Sequence, residues 1–357
     1  MRTLLESGAN PNQSIGNRLP PHSLSEPGEE QLTALYGAAG QALDPEMTRL
    51  LLVAGANPND GESLYHSVGS VECVRLLLAH GAQPSSNILA NAVAHSNLEA
   101  VRLLLEHGAD PNEPGAQRVS PLLFAIRGRR PPEIVKALLD AGADPHVRTP
   151  DGQSVFKYAL LAGVPEHAAL LEQAGAHEDL SSEDAFVAAC ARCDETEAQR
   201  LLAQQPNLFE TLGAKRLRHL PEMVWTGHDA AARLMVSLGW PITARGGDEP
   251  FFGSALNWAV FRGNVAMTEF LLQHGASWTE RHGYNDNVMG TLCWSSLNQP
   301  PEFGDWVGCA RALAAHGMPR AYATRAAGLN GQPLSVEIDG RQMVFSEEVA
   351  DALMAES

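Results

Sequence analysis

One phrase constrains this chain more than any other feature: a Leu-rich run, a Gly, a small residue and then turn formers. It stands as "LLLEHGADPNEPG" from Leu103 to Gly115. It recurs as "LLESGANPNQ" from Leu4, "LLVAGANPND" from Leu51, "LLLAHGAQPS" from Leu76, "LLDAGADPHV" from Leu138, "LLEQAGAHED" from Leu170 and "LLQHGASWTE" from Leu271. Each copy reads as a helix brought to a stop. The Gly accepts the left-handed conformation that caps a helix, and Asp, Asn and Pro then throw the chain into a projecting turn. His80, His107, His274 and His316 directly precede such glycines, where an imidazole can bond the last carbonyls and favour the negative helix end. The Ala beside the Gly lets neighbouring segments approach closely. The phrase is punctuation for stacking, not a catalytic motif.

The glycines Gly8, Gly55, Gly81, Gly108, Gly142 and Gly175 step by 47, 26, 27, 34 and 33 residues. Gly239, Gly275 and Gly317 continue at 36 and 42, after a degenerate copy, "RLLAQQPNLFE", from Arg200. Self-similarity at such a period signals an array in which each unit buries its apolar face on its neighbours. The upstream halves sharpen the reading. "TALYGAAG" (Thr33–Gly40), "SPLLFAIRG" (Ser120–Gly128), "SVFKYALLAG" (Ser154–Gly163) and "SALNWAVFRGN" (Ser254–Asn264) each place a Ser or Thr to cap a first helix. Pro121 takes the first helical position, where its missing N–H does no harm.

These segments resemble the T-P-L-H-x-A-A-x-x-G signature of the ankyrin repeat family, and the resemblance covers roughly residues 1–320. It implies an all-α, ankyrin-repeat helical solenoid of helix-turn-helix units with projecting turns. The expected organisation is an N-terminal half-repeat and long loop in 1–30, an array of about nine repeats in 31–320 and a C-terminal cap in 321–357. Within the cap, "PLSVEIDGRQMVFSEEVADALMA" (Pro333–Ala355) reads as strand, Asp339-Gly340 turn, strand, and a helix begun at Ser346.

Departures from the period are informative. The unit Gly61–Gly81 is short by about two residues at the end of its first helix. "RGRRPPEIV" (Arg127–Val135) carries one extra residue between helices, and Asn12–Glu30, rich in Pro, Ser and Gly, reads as a long finger loop. The unit Leu217–Pro241, with Pro221 near its start, is the least typical.

Composition narrows the function. With 44% hydrophobic but only 6% aromatic residues, burial falls to Leu, Ala and Val, which suits stacked helices. A formal charge of −17 and only three lysines (Lys136, Lys157, Lys215) argue against nucleic acid as partner. The start "MRTLLESGANPN" has no apolar signal core, and no stretch approaches 18 apolar residues, so a membrane partner is not expected. Five cysteines make no small-protein disulfide framework and fit a reducing, cytoplasmic setting. The preference for Arg over Lys suggests a GC-rich bacterial genome.

The common hydrolase, phosphate-loop and dinucleotide motifs are absent, and no cofactor or metal is expected. "CARC" (Cys190–Cys193) is the sharpest alternative: a redox pair, or half a zinc site with His219 and His228 downstream. Within its repeat, however, Cys190 takes a small core position and Cys193 the inter-helix Gly position. Basic clusters at Arg127, Arg129 and Arg130, and at Lys215, Arg216 and Arg218, read as solvated loop charge, or as docking points for an acidic partner.

The resemblance also locates a binding face, because ankyrin-like arrays grip partners with the turns and the exposed ends of first helices. Those ends are small or polar in the first half of the chain. In the second half they carry Trp225, Phe261, Arg262 and Leu297, and nearby turns add Phe251, Phe252, Trp278, Arg281 and Tyr284. Aromatics and Arg dominate interface hot spots. Trp258 and Trp294 share one position in consecutive repeats and are expected to stack, whereas one residue back in register they would simply be core. The resulting expectation is a non-catalytic scaffold binding another protein through Trp225, Phe251, Phe261, Arg262, Trp278, Arg281, Tyr284 and Leu297. Self-association through the N-terminal half-repeat is the alternative assembly role.

Overall fold

The computed structural model describes residues 1–14, 32–115, 118–247, 250–323 and 334–355. Most of the expected finger loop Asn12–Glu30 lies outside the described residues. The chain forms two compact units, the first from Met1–Ala159 and Val164–Glu178, the second from Leu160–Gly163 and Asp179–Ser357.

In the first unit, a first helix of up to nine residues precedes a nine-residue second helix. Ser86–Ala94 pairs with Leu98–Glu106, and Pro121–Arg127 with Pro132–Asp140. Second helices pack on second helices of the next repeat, first on first. Leu104, Ile134 and Leu138 are wholly buried along these seams. The short unit is Ser63–His66, a 3₁₀ turn Ser67–Gly69 and Val71–Ala79, so the missing residues come out of the first helix as expected. An addition absent from the sequence reading is a π-helical turn, Gly37–Gln41, closing the first helix Ala34–Tyr36.

The stop phrase folds as its residues dictate. Gly8, Gly55, Gly81, Gly108, Gly142 and Gly175 lie at φ between 89° and 93°. At the fourth of these, Gly108 N–H donates to Leu105 O and Ala109 N–H to Leu104 O, both 3.0 Å, which satisfies the last carbonyls of Leu98–Glu106. His80 and His107 use Nδ1 to reach Leu76 O and Leu103 O, each at 2.8 Å. All four expected caps form: Thr33 accepts from Tyr36 N, Ser120 from Leu123 N, Ser154 from Lys157 N and Ser254 from Asn257 N.

The turn asparagines have a further role. Asn112 donates Nδ2 to Gly142 O at 2.9 Å and accepts from Asp144 N at 2.7 Å, tying its turn to the next stop phrase. Asn12 makes the same two bonds to Gly55 and Asn57, and Asn59 to Gly81 and Gln83.

The second unit stacks four helix pairs: Ser182–Ala191 with Glu195–Gln204, His219–Trp225 with Asp229–Ser237, Ala255–Phe261 with Val265–Gln273, and Val288–Asn298 with Trp306–Ala315. Pro221 sits in the first turn of its helix, where a missing N–H costs nothing. The C-terminal strands Leu334–Ile338 and Arg341–Phe345 pair antiparallel around Asp339-Gly340, both at positive φ, and the helix Glu347–Ala355 follows. A short strand Tyr322–Ala323 adds a third member to this sheet. Cys293 donates its thiol to Val344 O at 2.8 Å, fastening the sheet to the last repeat's first helix.

Candidate functional site

Counting from the N-caps Arg218, Ser254 and Asn287, the same helical position holds Trp225, Phe261 and Trp294. Each lies seven residues past its cap, so stacking three consecutive first helices lines the rings up. The Trp225 and Phe261 centroids are 5.6 Å apart, edge to face, and Phe261 and Trp294 are 5.5 Å apart with planes only 10° from parallel. These separations match favourable aromatic pairs. A buried amide sets the spacing below them: Asn257 donates to Ser254 Oγ and to Glu280 O, and accepts from Thr291 Oγ1. The row therefore rests on a hydrogen-bonded frame.

Turn residues complete the face. Phe251 reaches Trp258 (4.5 Å), Phe261 (5.6 Å) and Tyr284 (6.4 Å), and lies stacked on His282 (4.6 Å). Four expected contact residues, Trp225, Phe251, Phe261 and Tyr284, thus belong to one aromatic group. Tyr284 is 63% exposed, Trp294 49% and Leu297 41%, with Leu297 one helical turn beyond Trp294. Trp225, Phe251 and Phe261 are half-buried.

Other expected residues are placed differently. Arg262 donates Nη1 to Val224 O at 2.9 Å and lies 3.5 Å from Asp229, which makes it a strut between adjacent repeats. Trp278 is half-buried against the core and makes no ring contact with the group among the described residues. Arg281 is exposed at the base of its turn, bonded to Asn285 Oδ1.

Trp258 and Trp294 do not stack on each other. The helix Val288–Asn298 has 11 residues where Ala255–Phe261 has seven, so matching the helix ends misaligns the helix starts by about a turn. Trp294 is the counterpart of Phe261, and Trp258 is core, 2% exposed with Nε1 bonded to Gly246 O at 2.8 Å.

Two charged settings frame the face. Burial alone would raise the Glu222 carboxyl, but hydrogen bonds and charge from His219 and Arg218 outweigh it and hold it below the usual carboxylate range. At Asp286 burial is likewise outweighed, by two hydrogen bonds from Arg341 at 2.8 and 3.1 Å, and this pair ties the C-terminal hairpin to the turn that presents Tyr284.

Burial works against thiol chemistry at the cysteine pair. Cys190 is fully buried and its thiol is pushed up to about 12 by that burial; burial also raises exposed-side Cys193, which takes the inter-helix glycine position at φ 59°. His219 lies 3.2 Å from Glu222 and His228 3.2 Å from Thr226 Oγ1. Among the described residues no group of three or more His, Cys, Asp or Glu is arranged to hold a metal ion. Of the basic clusters, Arg216 is spent on buried Asp184 at 2.7 Å and Arg218 on Glu222 at 2.5 Å. No helix of the described residues is long and apolar enough to cross a membrane.

Paired helices, left-handed glycine stops and projecting turns define a helix-turn-helix repeat protein. Comparison with known proteins agrees: the model of ankyrin repeats matches residues 35–114 and 83–149, in three copies. Residues 35–149 are thus ankyrin repeats. Among solved structures, the human ASB11 ankyrin repeat domain aligns at 21% identity with a TM-score of 0.31, covering 65% of this chain and 99% of that one. No match was found among curated proteins.

Proposed function

We propose that this protein is a non-catalytic scaffold that binds another protein through the aromatic face of its second unit. The observation that carries this reading is the ladder Trp225–Phe261–Trp294, whose last member is 49% exposed although indole burial is strongly favourable. Tyr284 and Leu297 extend it into an exposed apolar patch. Arg262 and the Asn257 network hold the rings in place before any partner arrives. Binding to such a preformed face loses little conformational entropy.

The test is affinity capture with wild-type bait beside a Tyr284→Ala, Trp294→Ala, Leu297→Ala variant, chosen because these side chains are exposed and their loss leaves the core intact. Capture by wild type and loss by the variant, with unchanged circular dichroism, is the expected result. Equal capture by both baits overturns the choice of face.

Self-association is a second reading, favoured by one observation. The helix Arg2–Glu6 buries no residue, leaving Met1 43% and Leu4 62% exposed. Light scattering over a concentration series tests it, and a Leu4→Glu variant should abolish any concentration-dependent dimer.

A further inference from the structure

We propose that a groove in the first unit, separate from the aromatic face, binds the guanidinium of an arginine carried by an extended partner segment. The groove has a volume of about 570 Å³, room for one long side chain and its adjoining backbone. Its space comes from small residues: Gly61, Ala90, Ala94 and Gly115 stand where larger side chains would fill it.

The chemistry of the lining selects the ligand. Among the described residues, Glu62 is its one acidic side chain, and no Lys or Arg lines it. The carboxylate is fixed but not saturated: Glu62 Oε2 lies 3.0 Å from His66 Nε2, and Oε1 meets no donor among the described residues. His66 is itself boxed by the edges of Tyr36 and Tyr65, at 5.2 and 5.0 Å, so the carboxylate's orientation is set by packing. Asn91 spends its Nδ2 on Tyr65 O at 2.7 Å, which leaves its side-chain oxygen as an acceptor. Tyr65 lines the groove with 37% of its surface exposed.

A held carboxylate, a spare amide oxygen and an accessible aromatic ring match the properties of Arg: a planar fork of N–H donors that pairs with carboxylate and stacks on aromatic faces. An anion would meet Glu62 with no lining cation to offset it. A neutral apolar group would strand the carboxylate.

The test uses the full chain, isotopically labelled, titrated at low salt with acetyl-Gly-Ser-Arg-Ser-Gly-amide and its citrulline counterpart, which keeps the shape and removes the charge. The expected result is movement of the Gly61, Tyr65 and Asn91 amide signals with the Arg peptide, no movement with citrulline, and loss of the response in Glu62→Gln. Gln keeps an acceptor for His66, and unchanged signals elsewhere verify the fold. Should that variant lose its fold, the Arg–citrulline comparison on wild type decides alone. Equal response to citrulline, a response surviving Glu62→Gln, or a lysine peptide as effective as the Arg peptide would overturn the assignment.

Discussion

His282 occupies, in the turn closed by Arg281 and Asn287, the place that Thr149 holds in the turn closed by Arg148 and Ser154. The Thr149 hydroxyl bonds Asp151 and Gln153, whereas both ring nitrogens of His282 find no hydrogen-bond partner among the described residues and the residue is 7% exposed, stacked on Phe251. Burial depresses its basicity below the ordinary 6.5; Asp286 opposes this and Arg245 adds to it. The sign follows. The unfolded chain takes up the proton first as pH falls, so the stability gained from neutral His282 is present above about 6.5 and lost below it. Urea midpoints measured from pH 8 to 5 should fall with acid, and His282→Thr should flatten part of that fall; an unaltered slope would remove His282 from the account. Buried His167, whose basicity is also lowered by burial, contributes with the same sign from the other unit and stays in place in that variant.

Two glycines separate strain from collision. Gly108 has φ 92° with nothing near a built Cβ, so Gly108→Ala should cost about 1–2 kcal/mol from the left-handed backbone alone. Gly247, at φ 94°, lies against the Trp258 ring, 2.3 Å from where a Cβ would sit. Gly247→Ala should cost clearly more and disturb tryptophan fluorescence. Equal costs in a denaturant series would contradict the packing described.

At the level of elements, the sequence reads well wherever the determinant is local. Caps and stops are chosen within three to five residues of the groups they satisfy, so Ser120, Ser254 and Gly108 announce themselves. The single added residue before Pro132 and the shortened Ser63–His66 were legible for the same reason. Determinants that act across repeats were not. The partners of Asn112 lie 30 and 32 residues onward, and nothing near it distinguishes a cross-turn clamp from an ordinary turn former. Asn112→Ala should cost about 1–3 kcal/mol, since it removes two inter-repeat hydrogen bonds and leaves the Gly142 carbonyl without its Asn112 donor; a neutral substitution would mean that water replaces them. The aromatic face was half legible. Its residue types and region could be named, but the longer helix Val288–Asn298 hid the equivalence of Phe261 and Trp294, and the groove at Glu62 arises from small residues that carry no signal by themselves.

Across the whole molecule, a repeat array spreads its stability over nearest-neighbour contacts. Leu104→Ala, at a wholly buried seam, should cost about 2–5 kcal/mol and raise hydrogen exchange in the adjoining repeats of the first unit, leaving the second unit's exchange unchanged. Uniform loss of protection through the entire chain would show that the two units unfold as one.

The central claim is that the second unit's aromatic face meets a protein partner, and side-chain footprinting of the captured complex tests it most directly. Hydroxyl radicals modify exposed aromatics and Leu, so free protein should react at Tyr284, Trp294 and Leu297 and spare buried Trp258. The account predicts that partner binding protects those three side chains and leaves Trp258 as it was. Protection confined to other surfaces, with Trp294 as reactive in the complex as in the free chain, would contradict it.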